Sequence, residues 1–449
     1  MSNIKEERRK KEYNDLYKEL CRRYDGETAD QLRKYHNSVN RQDVCSRSTK
    51  PETVTAKRSR SYKNPESAFS KIFSETFLLC FIGFFFIITV GLGALYLTSP
   101  DRKYSESENR MLATAPTLTA ENLISGKFMK DFETYLADQF PIRDNAISIK
   151  TFSDRVLGKR QENNVYIGKN NFLFDFQVEY NEADTKAKTE AIDIFLSERP
   201  DLKAMIAISP NSSYIYKENL PYSLKLPDQK KDIQSVYGLF KSKNLVKLDV
   251  TTALENEKEK GTQLFYKTDH HWTTEGAYCA FENIIKQWGL DAENVIYEKL
   301  AVTTEFEGTL SGKAGVHDVK DSINIIVPKN SAGTYVVNYE SQQRKTTSLF
   351  EKNKLNEKNK YEVFLGGNYD KVVISTTSHN ENTLLIVKDS FANCMIPMLT
   401  PYFSKIVVVD PRYLTDNMDN IASDENYTHM LFLYNLNTFL EDTSIIEVF

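Results

Sequence analysis

The sequence predicts an α/β fold, a parallel sheet flanked by helices, preceded by one transmembrane helix. Three observations predict it. From Asn164 onward, strand-like apolar runs alternate with amphipathic helical stretches, the pattern of strands joined by crossover helices. The runs LKAMIAIS (202–209), LLIV (384–387) and IVVVD (406–410) are nearly continuous, as in strands buried on both faces. Finally, residues 77–97 (FLLCFIGFFFIITVGLGALYL) contain no charge, and at ~1.5 Å per residue they cover a bilayer core of ~30 Å.

In chain order, residues 1–76 are a charged tail. They carry 18 Lys+Arg against 12 Asp+Glu, which leaves the remainder at 40 against 50. A charged helix is expected over 5–23 and disorder over the Ser/Thr/Asn-rich residues 37–68. The apolar run 77–97 is too long and too far from the start for a cleaved leader, and it reads as a signal anchor. Lys57, Arg58, Arg60, Lys63 and Lys71 precede it, and only Arg102 and Lys103 follow closely. The positive-inside rule therefore puts the N-terminus in the cytoplasm and residues 98–449 outside the cell membrane. Residues 98–160 form a juxtamembrane helical region, with one helix through Phe128, Phe132, Tyr135 and Leu136. That helix breaks at the proline of DQFPIR (138–143), and a second follows through Ile147, Phe152 and Val156.

Residues 161–449 are the α/β domain. It opens with a hairpin at 165–174 and a helix at 186–197, then the strand 202–209, a helix through Ile233, Tyr237, Leu239 and Phe240, and a strand at 246–250. The amphipathic stretch 274–288 predicts another helix. Residues 294–378 read as a β-rich insertion with strands IYEKLAV, INIIV, TYVVNY and YEVFL, and with loops at Gly308, Gly312 and Gly315. The α/β pattern resumes with 384–387, a helix over 392–403, and strands at 406–410 and 430–434.

Two stretches carry chemistry. KTDHHWT (267–273) holds two of the six histidines beside an aspartate. About 120 residues later, LLIVKDSF (384–391) runs an apolar strand into Ser390 ahead of a predicted helix. That setting exposes a side chain at the carboxyl edge of a parallel sheet, with helix N–H groups at hand for an oxyanion. Ser390 or Asp389 as a simple helix cap is the plainer alternative. A serine hydroxyl needs a base with a fixed tautomer, and Asp269 two residues before His271 supplies one. An extended Asp-x-His places both side chains on one side and turns His270 the other way, into a supporting role. The competing reading is a metal site, disfavoured because adjacent histidines project apart and no further cluster completes a shell.

The motifs SESENR (105–110), DQFPIR (138–143), residues 165–174, YKTDHHWTTEGA (266–277), GTL (308–310), KDSFAN (388–393) and DPRY (410–413) together resemble the DHHW protein family. That family is related to the SGNH-hydrolase-like alginate O-acetyltransferases. The resemblance implies an SGNH-like domain in which Asp269, His271 and Ser390 form the catalytic triad. His270, Trp272, Tyr266, Lys388 and Asp389 would be supporting residues. It further implies O-acetylation of a cell-surface glycan, with a membrane-bound O-acyltransferase passing acetyl groups across the bilayer. Tyr266 and Trp272 either stack on a sugar or belong to the core. Asn211 and Asn393 are the candidates for a second oxyanion donor.

No cofactor or metal is expected, since there is no Gly-rich phosphate loop and none of the five cysteines sits at zinc spacing. Cys279 and Cys394 are either a disulfide or two small buried residues. The acidic body excludes nucleic acid as its partner. The competing functions are an acetyl esterase using the same triad, a non-catalytic envelope assembly or binding protein, and, more distantly, a metal-dependent phosphoesterase.

Overall fold

The computed structural model describes residues 65–105, 110–222, 224–290, 295–329, 335–378 and 381–449. The expected helix at 5–23 and the expected disorder over 37–64 lie outside them. The first element is the helix Pro65–Thr98, opening on a proline that a first helical turn tolerates. Residues 65–76, read from the sequence as tail, are therefore its first turns. Its segment Thr76–Thr98 is long and apolar enough to cross a membrane. Apolar side chains are exposed all around it, Phe77, Phe81, Phe84 and Ile87 among them.

Two short strands follow, β1 (Tyr104–Ser105) and β2 (Arg110–Met111), then the helices Ala120–Ile124, Lys127–Asp138 and Arg143–Val156. The two sequence motifs of this region meet. Asp138 is buried, and its carboxylate accepts from Arg110 Nη1 and Nη2 at 2.9 and 2.6 Å and from Ala113 N at 2.9 Å. The Arg110 hydrogen bonds hold its pKa below the ordinary carboxylate value. The Gln139 amide bonds Arg102 and Ala113. These motif residues pin the chain; they are not part of the site.

The domain opens with a small antiparallel sheet of β3 (Gln161–Glu162), β4 (Val165–Ile167) and β5 (Leu173–Asp175). Helix Glu182–Ser197 leads to β6 (Lys203–Ser209), and helix Gln229–Leu239 to β7 (Leu245–Leu248). Helix Thr274–Trp288 has the predicted bounds. Next come β8 (Tyr297–Phe306), β9 (Asp321–Pro328), β10 (Tyr335–Tyr339), β11 (Arg344–Thr346) and β12 (Lys371–Thr376). The final strands are β13 (Thr383–Lys388), β14 (Lys405–Val409) and β15 (His429–Asn435).

The main sheet has eight strands in the order β11-β10-β12-β14-β13-β15-β6-β7. From β14 to β7 every pair is parallel, whereas β12, β10 and β11 add on antiparallel. The sheet is thus mixed, flanked by helices, and not wholly parallel. Alternate residues of β13 feed opposite faces: Leu384 and Ile386 join one apolar core, Leu385 and Val387 the other.

Four expectations about residues 294–403 are corrected. The insertion is not a separate β unit: only β8 and β9 stand apart, as a two-stranded sheet, while β10 to β12 extend the main one. YEVFL is no strand but runs through a 3-10 turn at Lys360–Val363, and Leu365 takes a positive φ of 60°. Gly312 lies within the helix Thr309–Ala314, which Gly308 and Gly315 bound. Past Ser390, the expected single helix is a 3-10 turn, Ser390–Cys394, and a short helix, Ile396–Leu399. Pro397 opens that helix and brings no N–H to continue the preceding turn.

Candidate active site

The DHHW stretch is a bent loop held from several sides. An antiparallel bridge between Phe265 and Trp272 closes it, and Thr273 caps the helix Thr274–Trp288, its hydroxyl accepting from Gly276 N. The buried carboxylate of Asp321 accepts from Lys267 N, Thr268 N and Thr268 Oγ1. From the small sheet, Leu173 N donates to Lys267 O, and from the helix Thr309–Ala314, Ser311 N donates to Thr268 O.

Ser390 lies two residues past the end of β13. Asp389 shapes this edge: Oδ1 accepts from Phe391 N at 2.8 Å, and Oδ2 from Asn435 N at the end of neighbouring β15 at 2.7 Å. Lys388 is buried, its Nζ on Asn368 Oδ1 and Asp410 Oδ2 at 2.8 and 3.3 Å. Asp410 also takes Arg412 Nε and Nη2. Lys388 and Asp389 therefore brace the strand end. Burial lowers the Lys388 pKa and raises that of Asp389.

Between these loops a relay of contacts forms. His271 Nε2 lies 2.7 Å from Ser390 Oγ, and His271 Nδ1 lies 2.5 Å from Asp269 Oδ1. Asp269 Oδ1 also accepts from His271 N, and its Oδ2 from Thr309 N and Oγ1 at 2.8 and 3.1 Å. Burial alone would raise the Asp269 pKa, but the two imidazoles and the donors around it hold the carboxyl well below the usual carboxylate range. Trp272 Nε1 donates to Phe391 O at 2.8 Å and so ties the histidine loop to the serine loop.

His270 does not turn away. The loop is bent where an extended one was expected, and the two imidazole centroids are 4.0 Å apart. His270 Nδ1 sits 2.9 Å from Thr309 Oγ1, the hydroxyl that also reaches Asp269. Burial first, then neighbouring His271, pushes the His270 pKa down to about 4, so the ring is neutral at neutral pH. Asp269, His270 and His271 thus present ligand atoms within 4.8 Å of one another. The expectation that adjacent histidines project apart, used to disfavour a metal, is overturned. What separates the two readings is how the atoms are engaged: both Asp269 oxygens accept N–H or O–H donors, and His271 Nε2 faces a serine.

Two residues of this site were given no role there from the sequence. The Tyr361 ring stacks on His271 at 3.8 Å and 12°, and its hydroxyl donates to Ser390 O at 3.1 Å. Tyr361 lies in the YEVFL stretch, whose strand-like pattern hid it. Gly308 is the other. A Cβ there would fall 2.2 Å from Asp269 Cβ and 2.6 Å from Asp269 Oδ2, so only glycine lets Thr309 reach that carboxylate. Four further expectations meet other partners. Tyr266 and Trp272 are fully buried, so they are core and not sugar platforms. Asn211 Nδ2 donates to Asn437 Oδ1, and Asn393 Nδ2 to Asn368 Oδ1 and Gly367 O, so neither amide is directed at Ser390 by its hydrogen bonds. The Phe391 N–H, expected to be free for an oxyanion, is taken by Asp389. Cys279 and Cys394 are buried free thiols.

With this geometry in view, comparison with known proteins is informative. Residues 165–367 match the family model described as SGNH hydrolase-like domain, acetyltransferase AlgX. The fold is similar to a DHHW family protein from Eubacterium siraeum, with a TM-score of 0.54 and 20% identity over 64% of this chain and 96% of that one. The fold is SGNH hydrolase-like. A second solved structure, Bacillus cereus PatB1 with a sulfonyl adduct, has a TM-score of 0.53 and 17% identity, covering 62% of this chain and 97% of that one. In sequence, the chain is 26% identical over 182 residues to a probable alginate O-acetylase AlgJ of Pseudomonas syringae. That match covers 39% of this chain and 46% of the relative. A namesake from Pseudomonas fluorescens is 24% identical over 213 residues, covering 46% and 51%. The chain spans about half the length of these curated relatives. The family match includes Asp269 and His271 but ends before Ser390.

Proposed function

We propose that this SGNH hydrolase-like domain is an O-acetyltransferase that modifies a polysaccharide, with Ser390, His271 and Asp269 as its catalytic residues. The observation that carries the reading is the unbroken line from Ser390 Oγ through His271 to Asp269, at 2.7 and 2.5 Å. Asp269 fixes the tautomer by accepting from Nδ1, which leaves Nε2 to take the serine proton. Ser390 Oγ then bonds to the acyl carbonyl carbon while His271 holds the proton. Collapse of the adduct expels the donor alcohol, which leaves with that proton. A sugar hydroxyl next attacks the acetyl-serine, gives its proton to His271 Nε2, and the proton returns to Ser390 Oγ as the ester departs. Tyr361 keeps the imidazole in plane by stacking and holds the serine backbone through its hydroxyl. His270, neutral and bonded to Thr309, supports the Asp269 side.

The relatives named as alginate O-acetylases favour transfer over hydrolysis and a glycan as acceptor. The apolar helix Thr76–Thr98 and the excess of basic residues before it favour an anchor with the domain outside the membrane. Acetyl-CoA lies on the inner side, so a membrane-bound O-acyltransferase is proposed as the donor partner. The test supplies p-nitrophenyl acetate with and without oligosaccharide acceptors to the full chain in detergent. Acetylated oligosaccharide that disappears in Ser390→Ala supports transfer. Ser390-dependent release of acetate alone, whatever the acceptor, would leave an esterase. Activity that a chelator abolishes would favour the metal reading of the Asp-His-His cluster.

A further inference from the structure

The helix Arg143–Val156 has one packed face and one bare face. Inward, Thr151 is buried, with its hydroxyl donating to Ala314 O at 2.6 Å. Ile147 sits so close to Gly315 that a Cβ there would meet its Cγ2 at 2.8 Å. Outward, Ile149, Phe152 and Val156 succeed one another at helical spacings of three and four, 69, 67 and 71% exposed, and Leu157 just beyond is 84% exposed. In the preceding helix, Lys127–Asp138, Met129, Phe132 and Leu136 are exposed as well. So many large apolar groups bare within one short segment mark an interaction surface.

We infer that the stripe Ile149-Phe152-Val156-Leu157 lies in the lipid interface of the membrane that holds the anchor. This rests on the anchor reading and goes beyond it by assigning a second, peripheral contact. Residues 99–142 join the stripe to the helix that ends at Thr98, so it belongs to the part of the chain nearest the anchor in sequence. The stripe offers no unengaged polar group: the one hydroxyl on it, Ser153, turns back to Ile149 O at 3.0 Å, and the exposed Lys150 beside it pairs with Asp154 and Glu162. Lipid tails need no such group, whereas a protein interface carries about one hydrogen bond per 100–200 Å². Apolar contact and not charge does the binding, since exposed Lys150 and Lys159 already pair with Asp154 and Glu162. A helix held flat at the membrane would fix the height of the domain above it, and with it the distance from Ser390 to a donor emerging from the bilayer.

The test places the full chain in nanodiscs of phosphatidylcholine, plain or brominated on the acyl chains, and reads tryptophan emission. The native Trp272 and Trp288 supply the background, and Phe152→Trp adds a reporter on the stripe. Ile149→Trp or Val156→Trp serves if that variant fails to fold, and Phe86→Trp reports on the anchor. Bromine should remove at least about half of the emission that each substitution adds, as for a ring buried ~5–10 Å into the interface. Quenching at residue 86 but not at 152 would overturn the inference and leave the anchor reading standing. A blue-shifted but unquenched residue 152 would also overturn it, in favour of a protein partner or a second copy. No quenching at either position would overturn both.

Discussion

His270 shows how much a single side chain adjusts when its neighbours are fixed. Its folded pKa of about 4 lies below the ordinary 6.5, so the unfolded chain takes up a proton that the folded chain refuses between these values. Stability should therefore be full above about pH 6.5 and fall as the pH drops toward 4. Thermal melts of wild type across that range should show the decline, and His270→Gln should flatten it. Tyr361 makes a separable contribution. Tyr361→Phe keeps the stack on His271 and loses the bond to Ser390 O, so kcat for ester hydrolysis should fall by about tenfold, the worth of one hydrogen bond. Tyr361→Ala loses both contacts and should fall further. Equal kcat for wild type and both variants would remove Tyr361 from the site. The grouping of Asp269, His271 and Ser390 was legible because a histidine-poor chain spends two imidazoles beside one aspartate, and a strand-to-serine step follows. Tyr361 was not legible, because no local pattern says that a 3-10 turn returns an aromatic ring to a histidine ninety positions earlier.

At the scale of elements, the site depends on one close approach. The helix Thr309–Ala314 lies against the DHHW loop because Gly308 has no Cβ, and Thr309 N and Oγ1 then hold Asp269 Oδ2. Gly308→Ala should force the helix off the carboxylate, with a stability loss of about 1–3 kcal/mol, the usual cost of overpacking. Activity should fall by more than that loss accounts for. Chemical denaturation beside a kcat measurement separates the two effects; unchanged kcat in the folded variant would show that Thr309 is dispensable. Most elements were legible from periodicity, the helix Thr274–Trp288 to the residue, because apolar spacing and a threonine cap agree. The membership of β10 and β12 in the main sheet was not. Pairing partners more than 30 residues apart leave no local signal, and both strands look like those of the β8–β9 hairpin.

For the whole molecule, the sheet supplies the edge on which everything else is placed: β13 ends two residues before Ser390, and β15 ends at Asn435, which Asp389 clamps. On the proposed reading of the anchor, this edge would be extracytoplasmic. A protease added to intact cells should remove the domain from residue 98 onward and leave the anchor with residues 1–76 protected. Protection of the domain in intact cells and digestion only after lysis would reverse the orientation. Fold class and the candidate span were both readable from local sequence pattern, since continuous apolar strands and an uncharged run need no tertiary information.

The most direct measurement of the central claim is hydrolysis of p-nitrophenyl acetate by the full chain in detergent, compared with Ser390→Ala, His271→Ala, Asp269→Asn and His270→Ala. Ser390→Ala and His271→Ala should abolish turnover. Asp269→Asn should lower it by about three to four orders of magnitude through the wrong tautomer, and His270→Ala should leave activity within about tenfold. All five proteins turning over alike would contradict it, and the fold would then serve as a binding surface.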